Sequence, residues 1–488
     1  MLPAARSVGE RGDTIYTKGG VVATKSARDR SGRPSSQATL PPARLRRPPA
    51  PGLPGPEVFP KLKELKLLGD PLGLMVRMHD EYGDVFVLPF GSAIKHDAWV
   101  CSPALAQQVM HAPAHELEAA DANAILEPLV GGSSLLLLRG RDHARRRELL
   151  RPVFDAAHLA LDEKVVEQVA EAHLAKVKPG DTLPLWKWVR RLTIEIMMRV
   201  VFGVERGPSF DALADGINRV VELNGTKSML ALGGLRLGPF GPRARFVKCR
   251  EQVDALIYRE IEARRGDPRL QQREDILSLA LKAEYPNGET LTDADVRDEV
   301  MTLVVAGNQT TAGAVAWAVE LLLRNRPKLD ALRRDLDGGH EDYLKAVIWE
   351  SLRLRVPLFA IGRRALVPYR LGRFTIPAGM GIVVPLLFVY RSPEMFPNDP
   401  TLFRPERYLE GEAWPPWVPF GAGIRRCIGR EFAYLQARVI LRAMFEQLDF
   451  RLEDTSAERI ELMSGALVVP HREVPLRVYA QQAPPASA

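Results

Sequence analysis

The run Phe420-Gly421-Ala422-Gly423-Ile424-Arg425-Arg426-Cys427-Ile428-Gly429 places a thiol, a ring and flexible backbone within one short loop. Gly421 and Gly423 allow backbone angles closed to other residues and let the chain approach a flat ligand. A helix is expected to begin near Cys427, and the free N–H groups at a helix start lower a thiol pKa and favour the thiolate. Phe420 can pack against a ring beside the sulfur. A lone cysteine beside a turn is more often plain core, but the spacing of the whole run turns the reading toward a ligating thiolate.

Three other segments have chemistry-bearing spacing. In Glu350-Ser351-Leu352-Arg353 an acid and a base stand three apart on one helical face, which alone could be a surface ion pair. Phe403-Arg404-Pro405-Glu406-Arg407 follows some fifty residues later. In Gly140-Arg141-Asp142-His143-Ala144-Arg145-Arg146-Arg147, His143 and Arg147 share a face, while Arg145 and Arg146 read as a basic solvated face. Ala306-Gly307-Asn308-Gln309-Thr310-Thr311 puts small and polar residues in the middle of an apolar helix, where a threonine could simply bond the carbonyl one turn back.

Together and in this order, the segments resemble the cytochrome P450 family over about residues 50–480, most closely its soluble bacterial members. The resemblance implies a mainly α fold with a smaller β-rich lobe, and haem b between a long central helix and the Cys427 loop. Cys427 would be the ligand to iron, in a family whose thiolate pushes electron density toward the metal and favours O–O cleavage. Phe420 and Gly429 complete the haem loop, and His143, Arg147, Arg363 and Arg425 match propionate-binding positions. Glu350, Arg353 and Arg407 match a structural triad beneath the haem. Ala306 and Gly307 match the small residues that make room for O2, and Thr310 the threonine that orients it. Gln309 departs from the pattern: the family usually has an acid there, and an amide cannot relay protons by titrating.

The implied reaction inserts one oxygen atom of O2 into an apolar small molecule, fatty-acid- or terpenoid-like, with electrons from NAD(P)H. Without a flavin or iron–sulfur segment, a separate ferredoxin or flavodoxin and its reductase would deliver them. By the resemblance, the substrate pocket should draw on Leu303 and Ala306, on Leu358, Phe359, Ala360 and Ile361, on the 223–240 segment, and on Ala466, Leu467 and Val468, nearly all apolar. Two rival readings are a haem-thiolate isomerase or peroxygenase that needs no reductase, which Gln309 alone favours, and a non-catalytic haem sensor, which Thr310 and the small residues oppose.

The helix that must carry Ala306 to Thr311 has clear bounds. Thr292 is a good N-cap, acidic residues fill the first turn, apolar residues run to Leu323, and Asn325 and Pro327 stop it. At 1.5 Å per residue it spans roughly 48 Å, enough to cross a domain. Strands are expected at Val85–Leu88, Trp99–Cys101, Arg373–Ile376 and Gly381–Pro385. Hydrophobic content of 46% and charged content of 26% are those of an ordinary globular chain. The polar residues Asn308 to Thr311 oppose a membrane span, and no run of eighteen apolar residues occurs. The net charge of +7 lies wholly in residues 1–50, so the remainder gives no reason to seek nucleic acid. Those first fifty residues read as a disordered basic tail rich in Pro, Ser and Arg, residues 51–480 as one haem domain, and 481–488 as a flexible end. Three scattered cysteines argue against disulfides and zinc, which points to a reducing, cytoplasmic setting.

Overall fold

The computed structural model describes residues 16–17, 20–21, 53–55, 70–88, 96–224, 241–411, 419–463 and 466–480. The expected terminal disorder falls outside these residues, except for the paired two-residue strands Tyr16–Thr17 and Gly20–Val21. Positions 225–240 of the expected pocket segment are also outside them.

The central helix, Asp293–Arg324, begins where its sequence directs. The Thr292 hydroxyl accepts from the Asp295 N–H at 3.1 Å, and the Asp295 carboxylate accepts from the Thr292 N–H at 3.1 Å. This reciprocal cap satisfies two N–H groups that a helix start would otherwise strand. Asn325 ends the helix, its side-chain amide donating to the Leu321 carbonyl at 2.7 Å, and Pro327 opens the next helix, Arg326–Asp337. Burial on nearly every side explains the scarcity of charge in the middle. The helix packs against Leu185–Phe202, Asp342–Leu354 and Arg430–Gln447, whose apolar faces merge into one core.

A second core fills the β lobe. Its sheet runs in the order Val85–Leu88, Asp97–Val100, Gly381–Val384, Ile361–Ala365, Leu117–Glu118, with the second and third strands parallel and the other pairs antiparallel. The first two strands are buried along their whole length, which explains why they read as short continuous apolar runs. The third expected strand, Arg373–Ile376, is Phe374–Ile376, paired with Tyr369–Leu371. A further hairpin, Ile460–Met463 with Leu467–Pro470, reaches from this lobe onto the central helix, where the Trp317 indole N–H donates to the Val468 carbonyl at 3.2 Å.

Candidate active site

The cysteine loop is closed by the Cys427 N–H donating to the Phe420 carbonyl at 3.0 Å. Gly421 and Gly423 have φ of 74° and 64°, a region that favours glycine. A β-carbon on Gly423 would stand 2.9 Å from the Met110 carbonyl oxygen, so its close approach is to the helix Pro103–His111 rather than to a ligand. The following helix starts at Arg430 with Gly429 as N-cap, three residues later than expected. Burial is the first cause acting on the Cys427 thiol and pushes its pKa up, against the pull of the Gly429 N–H and of Arg147, Arg426 and Arg430. The net shift is therefore opposite to the one expected from a helix start, because desolvation outweighs these offsets. Cys101 and Cys249 are buried, whereas Cys427 is accessible. A thiol that solvent reaches while protein surrounds it lines a recess. Phe420, beside it, packs edge-on against Trp349 at 5.7 Å.

Positive charge gathers around that recess. His143, on the helix Gly140–Leu150, is buried, and its Nδ1 has no hydrogen-bond partner. Burial, then Arg425 and Arg147, lower its pKa to about 4, so the imidazole is neutral. Arg363 is lowered to about 10 by burial and by Arg425. Its one side-chain bond here, at 2.9 Å, goes to the neighbouring Gly362 carbonyl. Arg147 is also lowered, by burial and then by Arg426 and Arg425, with Cys427 acting against them. Among the described residues no carboxylate pairs with Arg147 or Arg363. Arg425 differs: it donates to the Glu118 carboxylate at 2.6 Å and to the Leu138 and Leu135 carbonyls at 2.6 and 3.3 Å. Arg425, expected among the propionate partners, is thus also anchored to groups of the protein.

Glu350, Arg353 and Arg407 form one network with all three side chains at 0% exposure. Arg353 holds both Glu350 oxygens at 2.8 Å, and Arg407 reaches the same carboxylate at 3.2 Å. The remaining guanidinium N–H groups donate to the carbonyls of Tyr390, Pro400 and Leu402, and of Asn398 and Asp399. Asp399 takes φ 53° to present its carbonyl, a strained angle that aspartate tolerates better than most. The Phe396 ring lies under both cations, at 4.7 and 5.9 Å.

On the central helix, Ala306 is exposed and Thr310 half-buried, and the Thr310 hydroxyl donates to the Ala306 carbonyl at 2.5 Å. The helix continues unbroken through this turn. Gly307 points elsewhere: a β-carbon there would come within 2.8 Å of the Met197 sulfur. Its lack of a side chain leaves room for Met197 where the central helix packs on Leu185–Phe202. Gln309 is 1% exposed, and both of its amide heteroatoms lack partners. The expected pocket segments meet: the Phe359 N–H donates to the Ala466 carbonyl at 2.8 Å, the Val468 N–H to the Pro357 carbonyl at 2.9 Å, and Leu358 bridges Leu467. Leu358 and Ala466 are exposed, while Leu467, Ala360 and Ile361 are half-buried. Leu303 and Val468 are buried. Phe359 instead packs on Trp99 in the β-lobe core, so it supports this wall rather than facing outward.

Sequence reasoning missed Glu118, Phe396 and the role of Arg146. Arg145 does lie on the surface, donating to Asn287 and Glu289. Arg146 is buried and pairs with Glu299 at 2.7 Å and Asp295 at 3.0 Å. Contacts across such sequence distances leave no local pattern, although a helix with arginines on three successive positions cannot turn all of them to solvent.

These residues fit a haem. An accessible thiol could take a soft-ligand position on iron. Two guanidiniums without carboxylates and an orphaned imidazole nitrogen form a donor set suited to two propionates. The sequence matches the family described as Cytochrome P450 over residues 49–477. It is 31% identical to cytochrome P450 135B1 of Mycobacterium tuberculosis over 434 residues, covering 88% of this chain and 91% of that protein. It is 33% identical to cytochrome P450 138 of the same species over 422 residues, covering 86% and 93%. The fold matches that of cyanobacterial CYP120A1 bound to retinoic acid, with TM-score 0.77 and 21% identity, covering 88% of this chain and 99% of that one. With family and geometry in agreement, the chain belongs to the bacterial-type cytochromes P450 and is a haem-dependent monooxygenase.

Proposed function

We propose that this monooxygenase acts on an apolar, fatty-acid- or terpenoid-like molecule, in the cytoplasm, with electrons passed from NAD(P)H through a separate ferredoxin or flavodoxin and its reductase. One observation carries the substrate class: an apolar wall stands one turn beyond Thr310. The 466–468 segment docks on the central helix at Gly313 and Trp317, and Leu358 is tied to it across the bridge to Leu467. A charged group placed against such a wall would lose hydration without gaining a partner.

When bound, haem supplies the reductive chemistry of O2. In this reading Cys427 ligates its iron, Phe420 and Gly429 shape the loop around the sulfur, and His143, Arg147 and Arg363 hold the propionates. Arg425 and Glu118 brace the floor of that cradle. Ala306 leaves space beside the iron, and Thr310, now bonded to the Ala306 carbonyl, turns its hydroxyl to orient oxygen.

The test has two arms. The reduced holoenzyme with carbon monoxide should show the long-wavelength band of a thiolate ligand, lost in Cys427→His and Cys427→Ala; a band unchanged in Cys427→Ala overturns the ligand assignment. A panel of fatty acids and terpenoids, retinoic acid among them, is then screened for spin-state shifts, and the best compound is turned over with a surrogate ferredoxin and reductase under labelled O2. Label in the product supports the reading. Conversion with no reductase present would favour the isomerase or peroxygenase reading instead.

A further inference from the structure

Gln309, next to Thr310, carries an amide that cannot titrate. The same helix offers another acid. Glu299, Thr302, Ala306 and Thr310 fall at intervals of three and four, which keeps them on one face. Glu299 is about 10 Å along the axis from Ala306. Its side chain is 1% exposed; Oε1 accepts from Arg146 at 2.7 Å, and Oε2 has no partner. One turn toward Ala306, the Thr302 hydroxyl lies 2.7 Å from that of Ser134, both buried. In the other direction Arg146 bonds Asp295 at 3.0 Å, and Asp295 is 21% exposed. The solvent-side Asp295 carboxylate, the buried Glu299 carboxyl and the buried Thr302–Ser134 pair, in which Thr302 also reaches the Asp298 carbonyl at 2.6 Å, thus follow in order along one helix face to the exposed Ala306. Buried polar atoms in folded proteins are satisfied by protein or by ordered water, and the free Oε2 is a place for such a water.

The groups around Glu299 come from every element packed on it. Arg146 arrives from the helix Gly140–Leu150, the Leu135 N–H from the loop before it, and Asp295 and Asp298 from the central helix itself. Tyr285 is bonded to Arg146, and Arg297 to Asp298. Burial, with Asp298 adding to it, pushes the Glu299 carboxyl up to about 7 against the pull of Arg146 and the Leu135 N–H. A relay must take up and release protons at working pH, and this balance allows it.

We propose that Glu299 is the relay through which solvent protons reach the Ala306–Thr310 groove, by way of the Thr302 and Ser134 hydroxyls and bound water. In each transfer the carboxyl gives one proton toward the groove and regains one from solvent through water at Oε2, because the Arg146 guanidinium between it and Asp295 keeps its protons, so no charge accumulates. The proposal rests on the monooxygenase reading.

The test uses the substrate-free holoenzyme, a surrogate ferredoxin with its reductase, and NADPH. Glu299→Gln keeps the shape and an oxygen for Arg146, and Thr302→Val breaks the hydroxyl pair without touching the carboxyl. In the wild type, infrared titration should find protonated-carboxyl absorbance that disappears around pH 7, to which Glu299 and Asp162 both contribute; the Glu299 part is lost in Glu299→Gln, with the Asp162 part remaining, and both parts are present in Thr302→Val. In both variants the rate of four-electron reduction of O2 to water should fall by about 100-fold, the low end for a positioned proton donor, with peroxide taking its place. Protonated-carboxyl absorbance of undiminished intensity in Glu299→Gln overturns the proposal, as does an unchanged ratio of peroxide to NADPH in both variants. Loss of the carbon monoxide band from the wild type would instead overturn the haem-thiolate reading, a separate failure.

Discussion

Glu350→Gln is the most direct test of how the floor of the haem site is held. The substitution preserves shape and an acceptor oxygen but leaves Arg353 and Arg407, both at 0% exposure, without their shared carboxylate. Their carbonyl partners remain, so the expected cost is that of an uncompensated buried charge, about 3–5 kcal/mol. Unfolding entropy of about 2.1 cal/mol/K per residue over residues 49–477 converts this to a melting point lower by about 3–6 °C. A chain of this size is apt to unfold irreversibly, so wild type and variant are compared at one scan rate. The assay follows haem absorbance on heating, together with haem content after purification, which should fall. In molecules that retain haem, the carbon monoxide band should stay in place, because no triad member touches Cys427. A melting point within about 1 °C of wild type would refute the claim that the network braces the fold, and a displaced band would refute its separation from the thiolate.

Other outcomes follow from the same geometry. Gln309→Glu puts an ionisable group where both amide heteroatoms now lack partners, and should raise product formed per NAD(P)H with peroxide falling in step; Thr310→Ala should lower it, and unchanged coupling in Gln309→Glu would show that this position does not limit proton supply. Glu195 is held down to about 2 by His173 and Arg206 against the effect of burial. Its contribution to stability is therefore complete above the unfolded value of 4.5 and lost as pH falls toward 2, so wild type should lose more of its melting point over that span than Glu195→Gln. Equal slopes would refute the assignment. Deleting residues 1–45 should leave haem content and melting temperature unchanged, and a loss of several degrees would show that the tail packs on the body.

What the sequence made legible is local. The Thr292 cap and the stop at Asn325 bound the central helix because capping is decided within a few residues. The strands Val85–Leu88 and Gly381–Val384 announced themselves by apolar β-branched runs. The Glu350–Arg353 pair was visible as an i,i+3 spacing, but the Phe396 ring beneath it was not, since no pattern links residue 396 to 353. Arg146–Glu299 and Arg425–Glu118 join positions 153 and 307 residues apart, and only packing decides which arginine of a basic run turns inward. The approach of Met197 to Gly307 from another helix was equally illegible, since the motif around Gly307 carries no sign of it.

The wall beyond Thr310 is joined within itself by main-chain bonds, Phe359 to Ala466 and Val468 to Pro357, and to the central helix by the Trp317 indole on the Val468 carbonyl. A join of this kind does not register which side chains hang from it, so positions 358 and 466 can change bulk or polarity while the frame stays fixed. In the proposed reading, selectivity for the molecule oxidised is thereby uncoupled from the integrity of the cradle proposed for the haem. A lineage, or an engineer, can rewrite these positions in few steps while thermal stability stays within about 0.5 kcal/mol of its starting value, as for other surface changes away from special features. Trp317 is the one member of the join that acts through its side chain, and it is the position where such freedom ends.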